Sequence, residues 1–237
     1  MIKNYKVEIR NCPDWRAYSA ATLGVSIESP NWKEEKFAAI LDFAAKRFKL
    51  IRIDVTDALY RHNFMAAGVP EGEAFVGAAA LGTLWLAKHQ DIIDKCRVET
   101  QIVRWSEWLS HPDYERVIKL FKIAYENNPI FRKAVERDAM RFYLRQENKN
   151  IQTGWPHSVD FLIEEAAVIS LQARELSSVR LYPGDELECL RLIRSGCVDT
   201  VPRWLCKETF AKVRFRLSKN EHSSSPRNPD LRLVINQ

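Results

Sequence analysis

The chain has 237 residues, 46% of them hydrophobic, which is enough to bury a sizeable core, and a net charge of +5 that permits a polyanionic partner without demanding one. It contains no apolar run of about 18 residues and no signal-peptide pattern at its start, which excludes a membrane-spanning class. The five cysteines are scattered without a CxxC pair. They argue against disulfides and structural zinc and predict a cytoplasmic location. The length predicts one domain over residues 1–237.

The first part of the chain predicts a strand, a helix and a second strand. Residues 6–10 alternate like a short edge strand, and an apolar run then ends at Val25. A helix over 32–49 and an apolar run over 50–55 follow, which is the spacing of a βαβ unit with parallel strands. Ser26 therefore lies at the carboxyl end of a strand, where open α/β sheets bind ligands. The alternative is that Ser26 only turns the chain into the helix.

The remaining elements continue the alternation of helices and strands. We predict helices over 71–95 (continuous or broken near Gly82), 112–127, 129–146, 158–173 (capped by Ser158) and 185–195, with strands over 97–105, 179–182, 212–217 and 231–235. Residues 148–156 and a mobile segment over 223–229 read as loops. The pattern predicts an α/β fold with a Rossmann-like, doubly wound, mostly parallel sheet. Neither GxGxxG nor GxxxxGK[ST] occurs, so no nucleotide cofactor and no ATP site is predicted.

Two neighbouring glutamates, Glu164 and Glu165, lie in an otherwise apolar helix. Adjacent helix positions point about 100° apart, so the two carboxylates cannot both reach solvent if the helix is largely buried. One of the two carboxylates then needs a cationic partner. That partner is either a protein side chain in a structural ion pair, for which Arg61 is the candidate, or the ammonium group of a substrate.

Basic residues are concentrated in two regions. One is a row at every fourth position of the helix after Pro129, formed by Lys133, Arg137, Arg141, Arg145 and Lys149. The other is the segment 203–237, with eight basic against three acidic side chains. Each region is either a solvated surface or a contact for phosphates, as in RNA binding.

Several short motifs in order resemble the cyclodipeptide synthases over about residues 22–196. They are Gly24-Val25-Ser26, the helix over 35–48, the cluster of Asp57, Arg61 and His62, the segment Pro112-Asp113-Tyr114, Phe161 with Glu165, and the strand from Ser178 to Tyr182. Tyr182-Pro183, with Ser29 three residues after Ser26, resembles the Tyr-Pro (XYP) subfamily. Phe161 departs from the pattern, because the family usually has tyrosine there.

The resemblance implies a fold similar to the catalytic domain of the class I tyrosyl- and tryptophanyl-tRNA synthetases, without ATP chemistry. It implies a monomer that uses two aminoacyl-tRNAs in a ping-pong reaction, through an aminoacyl ester on Ser26 and a dipeptidyl-enzyme. By the same resemblance Glu165 anchors the substrate ammonium, and Tyr182 positions it or relays a proton near Ser26. With Phe161 lacking a hydroxyl, either Glu165 carries the ammonium alone or Tyr114 helps.

The resemblance also implies two side-chain pockets. The first has Thr22, Gly24, Asp54, Trp105, Val168, Ile169 and Arg180, and the second has Asp138, Arg141, Arg145, Gly184 and Glu186. Both sets are polar for substrate pockets. We expect Arg141 or Arg145 to select an acidic second amino acid, because a guanidinium pairs bidentately with a carboxylate. Asp54 beside Trp105 suits a histidine in the first pocket, so a cyclo(His-Glu)-like product is the expectation.

Two other functions remain open at the level of sequence. An aminoacyl-tRNA deacylase would share the Ser26 ester but needs a general base for water, and no motif supplies one. His62 follows a strand end, and we expect a core role for it. The third possibility is a tRNA-binding module without catalysis, in which Ser26 is only a turn residue.

Overall fold

The structure, a computed structural model, describes residues 4–144 and 151–217. The strands are β1 (Tyr5–Arg10), β2 (Ala20–Val25), β3 (Leu50–Val55), β4 (Glu99–Arg104), β5 (Val179–Tyr182) and β6 (Thr209–Leu217). The helices are α1 (Glu34–Ala45), α2 (Arg61–Ala66), α3 (Glu71–Asp94), α4 (Trp105–Leu109), α5 (Tyr114–Asn127), α6 (Pro129–Tyr143), α7 (Ile151–Glu175) and α8 (Glu188–Arg194).

The strands form one mixed sheet in the order β1-β6-β5-β2-β3-β4. β2 pairs in parallel with both β3 and β5, β4 and β6 extend the parallel part, and β1 closes one edge antiparallel to β6. The predicted α/β class and the βαβ unit are confirmed. Because β2 has β3 on one side and β5 on the other, the carboxyl ends of β2 and β5 meet where the chain's strand order reverses.

The two faces of the sheet differ sharply in polarity. Residues paired across neighbouring strands share a face. One face is apolar and packs against α1 and α3 with Ala21, Leu23, Val25, Ile51, Ile53, Val55, Val179 and Leu181. The other face carries Thr22 in register with both Arg52 and Arg180, and Gly24 in register with Asp54. A polar strip therefore runs along the sheet inward from Ser26.

Two helix predictions concern the course of α3 and the end of α1. α3 runs through Gly82 without a break. A Cβ at Gly82 would lie 2.4 Å from the Asp57 side chain, so the glycine serves close packing rather than a helix break. α1 ends at Ala45, four residues before the predicted end.

The loop predicted over 148–156 is wrong from Ile151 onward, because α7 already begins there. Pro156 lies inside the helix, in its second turn, where a proline removes one intrahelical hydrogen bond. Ser158 is consequently not a cap. It is buried within α7, and its hydroxyl donates to the Gly154 carbonyl at 3.1 Å.

Other boundaries differ by a few residues. β6 begins at Thr209 rather than at 212, β4 gives way to α4 at Trp105, and α8 begins at Glu188 rather than at 185. The predicted strand over 231–235, the loop over 223–229, Arg145 and Lys149 lie outside the described residues. No helix within the described ranges is long and apolar enough to cross a bilayer.

Candidate active site

Ser26 follows the last residue of β2 and is held by hydrogen bonds on both sides. The Val25 carbonyl accepts the Thr56 amide at 3.0 Å and the Thr56 hydroxyl at 2.7 Å. The Ser26 carbonyl accepts the Ser29 amide at 2.9 Å, which closes a tight turn. The Ser29 hydroxyl accepts the Asn31 amide at 3.3 Å, so the role that the structure shows for Ser29 is to stabilise this turn. These hydrogen bonds hold Ser26 at the carboxyl end of β2.

Tyr182, the last residue of β5, faces Ser26. Its hydroxyl lies 3.2 Å from Ser26 Oγ. Its ring packs against Trp32 with the centroids 6.2 Å apart. A Cβ at Gly184 would lie 2.6 Å from this ring, so the glycine leaves room for it. The Asn31 side chain donates to the Pro183 carbonyl at 3.5 Å and ties together the loops after β2 and β5.

Glu164 is saturated with hydrogen bonds from four side chains. Arg61 donates from both guanidinium arms, with Nη1 at 2.8 Å from Oε1. The Trp105 indole donates at 2.8 Å, the Tyr114 hydroxyl donates at 3.2 Å, and His62 Nε2 lies at 3.2 Å. Burial alone would raise the pKa of Glu164, but the hydrogen bonds from His62 and Arg61 and their charge lower the pKa to about 2.

The Glu164 cluster answers three questions that the sequence left open. The ion pair with Arg61 is confirmed, and His62 has the expected core role. Tyr114 and Trp105 donate to Glu164, which favours the alternative that Glu165 carries the ammonium without Tyr114. These contacts fix the position of α7 relative to α2, α4 and α5.

Glu165 has the opposite surroundings. Within residues 4–144 and 151–217, its carboxyl group accepts no hydrogen bond. Burial raises the pKa of Glu165 to about 7, Arg180 opposes the rise, and Glu208 and Asp138 add to it. A carboxyl group with these properties can accept hydrogen bonds from a ligand ammonium and exchange a proton near neutral pH. Phe161, one turn earlier on α7, stacks on Phe142 with the ring centroids 5.4 Å apart.

Arg180 dominates the first predicted pocket. Its Nε donates to Glu208 Oε1 at 2.9 Å, and its Nη2 donates to the Gln172 side-chain oxygen. Its Nη1 lies 2.6 Å from the position of a Cβ on Gly24. Thr22, on the same face, shares a 2.7 Å hydrogen bond with Ser178. No sequence motif predicts Glu208 or Gln172 as partners of Arg180, because only the folded chain brings them together.

The other residues of the first pocket are largely buried. Asp54 Oδ2 pairs with Arg52 Nε at 3.3 Å, whereas Asp54 Oδ1 is buried and has no hydrogen-bond partner among the described residues. Burial raises the pKa of Asp54, while Arg52, Arg180 and the Trp108 indole oppose the rise. Val168 and Ile169, on α7, are buried in the larger apolar cluster. One oxygen of Asp54 is therefore held by Arg52, and the other has no partner in the described part of the chain.

The second predicted pocket lies between α6 and α8. Asp138 is buried and accepts the Cys189 amide at 3.0 Å, which joins the two helices. Arg141 Nη1 is 3.6 Å from Asp138, and the Arg141 side chain is 64% exposed. Glu186 pairs with Arg194 at 2.8 Å. Among the members of this set that the structure describes, Arg141 is the most exposed.

A basic groove of about 790 Å³ lies beside the Tyr182 loop, at the antiparallel edge of the sheet. Its lining includes four cations, Arg10, Lys36, Lys212 and Arg214, with Tyr5, Phe215, Asn31 and Pro183. Lys36 Nζ lies 5.5 Å from the Phe215 ring centroid and donates to Asn31 at 3.0 Å. Lys212 and Arg214 come from the basic segment 203–237.

A serine hydroxyl at a sheet's switch point, without a glycine loop for phosphate, suits the transfer of an acyl group that is already activated. The comparison with protein families agrees with this class. The cyclodipeptide synthase family model matches residues 11–166, and the chain belongs to that family. No curated protein sequence matches the chain.

Solved structures share the fold. A CDPS from Fluoribacter dumoffii superposes with a TM-score of 0.81 at 21% identity, over 90% of this chain and 99% of that one. A cyclodipeptide synthase from Candidatus Glomeribacter gigasporarum, bound to Phe-tRNAPhe, has a TM-score of 0.66 at 21% identity, over 89% of this chain and 93% of that one. A Mycobacterium tuberculosis protein, described as showing that cyclodipeptide synthetases are related to type I tRNA synthetases, gives 0.69 at 15% identity, over 90% and 94%. These matches show that the chain has the same fold as the solved cyclodipeptide synthases.

Proposed function

We propose that this cyclodipeptide synthase joins two aminoacyl-tRNAs into a diketopiperazine through an ester on Ser26. The observation that carries the proposal is the pairing of Ser26 with the Tyr182 hydroxyl at 3.2 Å, on the sheet face where Glu165 has no described hydrogen-bond partner. An aminoacyl-tRNA ester is already activated, so the reaction needs no nucleotide. A serine nucleophile then divides the synthesis into ester exchange and aminolysis.

In the first half of the reaction, Ser26 Oγ attacks the ester carbon of the first aminoacyl-tRNA. The Ser26–acyl bond forms, and the ribose oxygen of the tRNA leaves with a proton. Tyr182 transfers that proton, since its hydroxyl can accept from Ser26 and donate onward. Glu165 holds the ammonium of the aminoacyl group by charge-assisted hydrogen bonds.

In the second half, the amine of the group on Ser26 loses a proton and attacks the ester of the second aminoacyl-tRNA. This forms a dipeptidyl ester on Ser26 and releases the second tRNA. The terminal amine of the dipeptide then attacks the Ser26 ester, which closes the ring and restores the hydroxyl. Glu165, with its pKa raised to about 7 chiefly by burial, is suited to take protons from these amines.

The basic groove supports tRNA as the substrate carrier. Arg10, Lys36, Lys212 and Arg214 line it, and Pro183 joins it to the Tyr182 loop. Cations beside a nucleophile attract the phosphates of an acceptor stem and give affinity that falls with salt. We therefore assign the tRNA contact to this groove rather than to the row of basic residues on α6.

The Tyr182-Pro183 pair supports placement in the XYP subfamily. The acidic half of a cyclo(His-Glu)-like product still relies on Arg141, at the exposed end of α6. The histidine half relies on Asp54 Oδ1, which is buried without a described partner, since Asp54 Oδ2 pairs with Arg52 and the Trp105 indole binds Glu164. A cytoplasmic monomer remains a prediction from the sequence and the resemblance.

The test is expression in a bacterium, with mass spectrometry of the culture medium beside a Ser26→Ala strain. We expect a new diketopiperazine mass from the unsubstituted protein alone, with equal tRNA binding by both proteins. Faster loss of aminoacyl-tRNA without a new product would indicate a deacylase. Equal behaviour of both strains in every assay would indicate a binding module.

A further inference from the structure

Arg180 is a buried cation close to the proposed nucleophile. It is 8% exposed and lies two residues before Tyr182 on β5. Alternation along the strand places Arg180 and Tyr182 on the same face. The backbone of Arg180 is in register with Thr22, and its guanidinium reaches Gly24 on the neighbouring strand. Gly24 is two residues, or about 7 Å, inward of Ser26 along β2.

Two of the three guanidinium nitrogens of Arg180 have partners. Nε donates to Glu208 Oε1 at 2.9 Å, and Nη2 donates to Gln172. Glu208 precedes β6, and Gln172 is on α7, so the guanidinium is fixed from two sides. Glu208 also supplies the negative charge that a buried cation requires.

The third nitrogen, Nη1, points over Gly24. It lies 2.6 Å from where a Cβ would be, so only glycine leaves space for it there. Nη1 donates no hydrogen bond to any residue in the described ranges. Because the Arg180 side chain is more than nine-tenths buried, Nη1 has little contact with water, and an acceptor on a ligand would stabilise it. Gly24 lies between Ser26 and the buried Asp54 side of the strip, so a group bound to Ser26 that extends inward along β2 reaches Nη1.

The polar groups around Arg180 are incompletely paired as well. Gln172 Nε2 and Glu208 Oε2 are buried and have no hydrogen-bond partner in the structure. An apolar ligand in this region would leave the Arg180 donor unpaired. A polar ligand that reaches Nη1 would satisfy it.

We propose that Arg180 is the specificity-determining residue of the first aminoacyl site and selects an amino acid whose side chain ends in a carboxylate or a carboxamide. The inference rests on the proposed function, because it assumes an aminoacyl ester on Ser26. A side chain as long as that of glutamate or glutamine spans most of the distance from the ester to Nη1. Sites built to hydrogen-bond a substrate group strongly reject analogues that lack the group.

The experiment measures acylation of Ser26 by individual charged tRNAs, with the intact mass of the protein after an acid quench. The tRNAs carry glutamate, glutamine, aspartate, asparagine, leucine or phenylalanine. We expect at least one of the first four to acylate the protein about 100-fold faster than leucine or phenylalanine. Comparison of the acylation rates of the two acidic amino acids with those of their amides shows whether Arg180 selects the negative charge or only a hydrogen-bond acceptor.

Arg180→Leu should reverse this preference toward leucine, while Arg174→Leu should leave it unchanged. Arg174 is the matched control because it is an ion-paired arginine on α7 that binds Asp113 at 2.7 Å, away from Gly24. If Arg180→Leu does not fold, the acylation rates of the unsubstituted protein with the six charged tRNAs still test the inference. Preferred acylation by leucine or phenylalanine would overturn the inference and leave the proposed function standing. No acylation by any aminoacyl-tRNA in the cell's pool would overturn both.

Discussion

Glu164 and Glu165, neighbours on α7, have carboxyl groups in opposite environments. Glu164 accepts hydrogen bonds from Arg61, Trp105 and Tyr114, whereas Glu165 accepts none from the described residues. Their pKa values move apart accordingly, to about 2 for Glu164 and about 7 for Glu165. One carboxylate holds the helix in place, and the other remains available to a ligand.

The two glutamates should give opposite pH dependences of stability. The folded-state pKa of Glu164 is below its ordinary 4.5, so its stabilisation is complete above about 4.5 and is lost as the pH falls toward 2. The folded-state pKa of Glu165 is above 4.5, so the protonated form is favoured in the fold, and stability decreases as the pH rises from 4.5 through 7. The free energy of unfolding in urea, measured across both ranges, tests the signs.

Replacing either glutamate by glutamine should remove the pH dependence of the free energy of unfolding in one pH range only. Glu165→Gln is expected to remove the decrease between pH 4.5 and 7, and Glu164→Gln the decrease below 4.5. Glu164→Gln also weakens the binding of a buried guanidinium, so it should be the less stable of the two at neutral pH. A Glu165→Gln profile that parallels the unsubstituted protein from pH 4.5 to 7 would refute the environment described for Glu165.

Tyr182→Phe should slow acylation of Ser26 by about 100-fold, because it removes the hydroxyl that moves the proton. The ring contact with Trp32 stays, so the free energy of unfolding should change by about 1 kcal/mol or less. Single-turnover acylation and urea unfolding measure the two effects. An acylation rate within about twofold of the unsubstituted protein would rule out the relay.

Gly184→Ala should reduce acylation about tenfold by displacing the Tyr182 ring, which lies 2.6 Å from the new Cβ. The matched control is Gly72→Ala in the first turn of α3, where a Cβ meets nothing within 4 Å. This control should retain acylation and leave stability unchanged or raised by up to about 1 kcal/mol. Equal acylation by both variants would mean that Gly184 does not position Tyr182.

Arg10→Ala and Arg214→Ala should each weaken tRNA binding and reduce its logarithmic salt slope by about 1 if each contacts one phosphate. The control is Lys46→Ala, an exposed lysine directly after α1 that pairs with Asp42 and does not line the groove. Filter binding at several salt concentrations measures both quantities. A slope that is the same for all three variants and the unsubstituted protein would exclude the groove as the phosphate contact.

Most of the fold could be predicted because its signals are local. Apolar runs and helical periodicity place the strands and the long helices, and the βαβ spacing then requires parallel strands. The errors have local causes too. Pro156 was interpreted as the end of a loop, although a helix tolerates a proline in an early turn when its later turns are well packed.

Much of the site could be predicted from order along the chain. Ser26 directly follows β2, and Tyr182 is the last residue of β5. Because β2 and β5 pair in parallel, their carboxyl ends lie side by side and bring the two residues together. Which glutamate holds the helix could not be predicted, because adjacent helix positions differ only in direction. The tertiary packing of α2, α4 and α5 around α7 assigned that role to Glu164.

The amino-acid sequence alone predicted the sheet type from short-range periodicity, and the resemblance of its motifs predicted the family and the role proposed for Ser26. The surroundings of Arg180, the basic groove and the available Glu165 required the folded chain. Glu208 is 28 residues from Arg180, and the strands that line the groove are drawn from the two ends of the described chain. Charges so distant in sequence meet only when the sheet forms, because strand pairing and burial decide which of them lose water together.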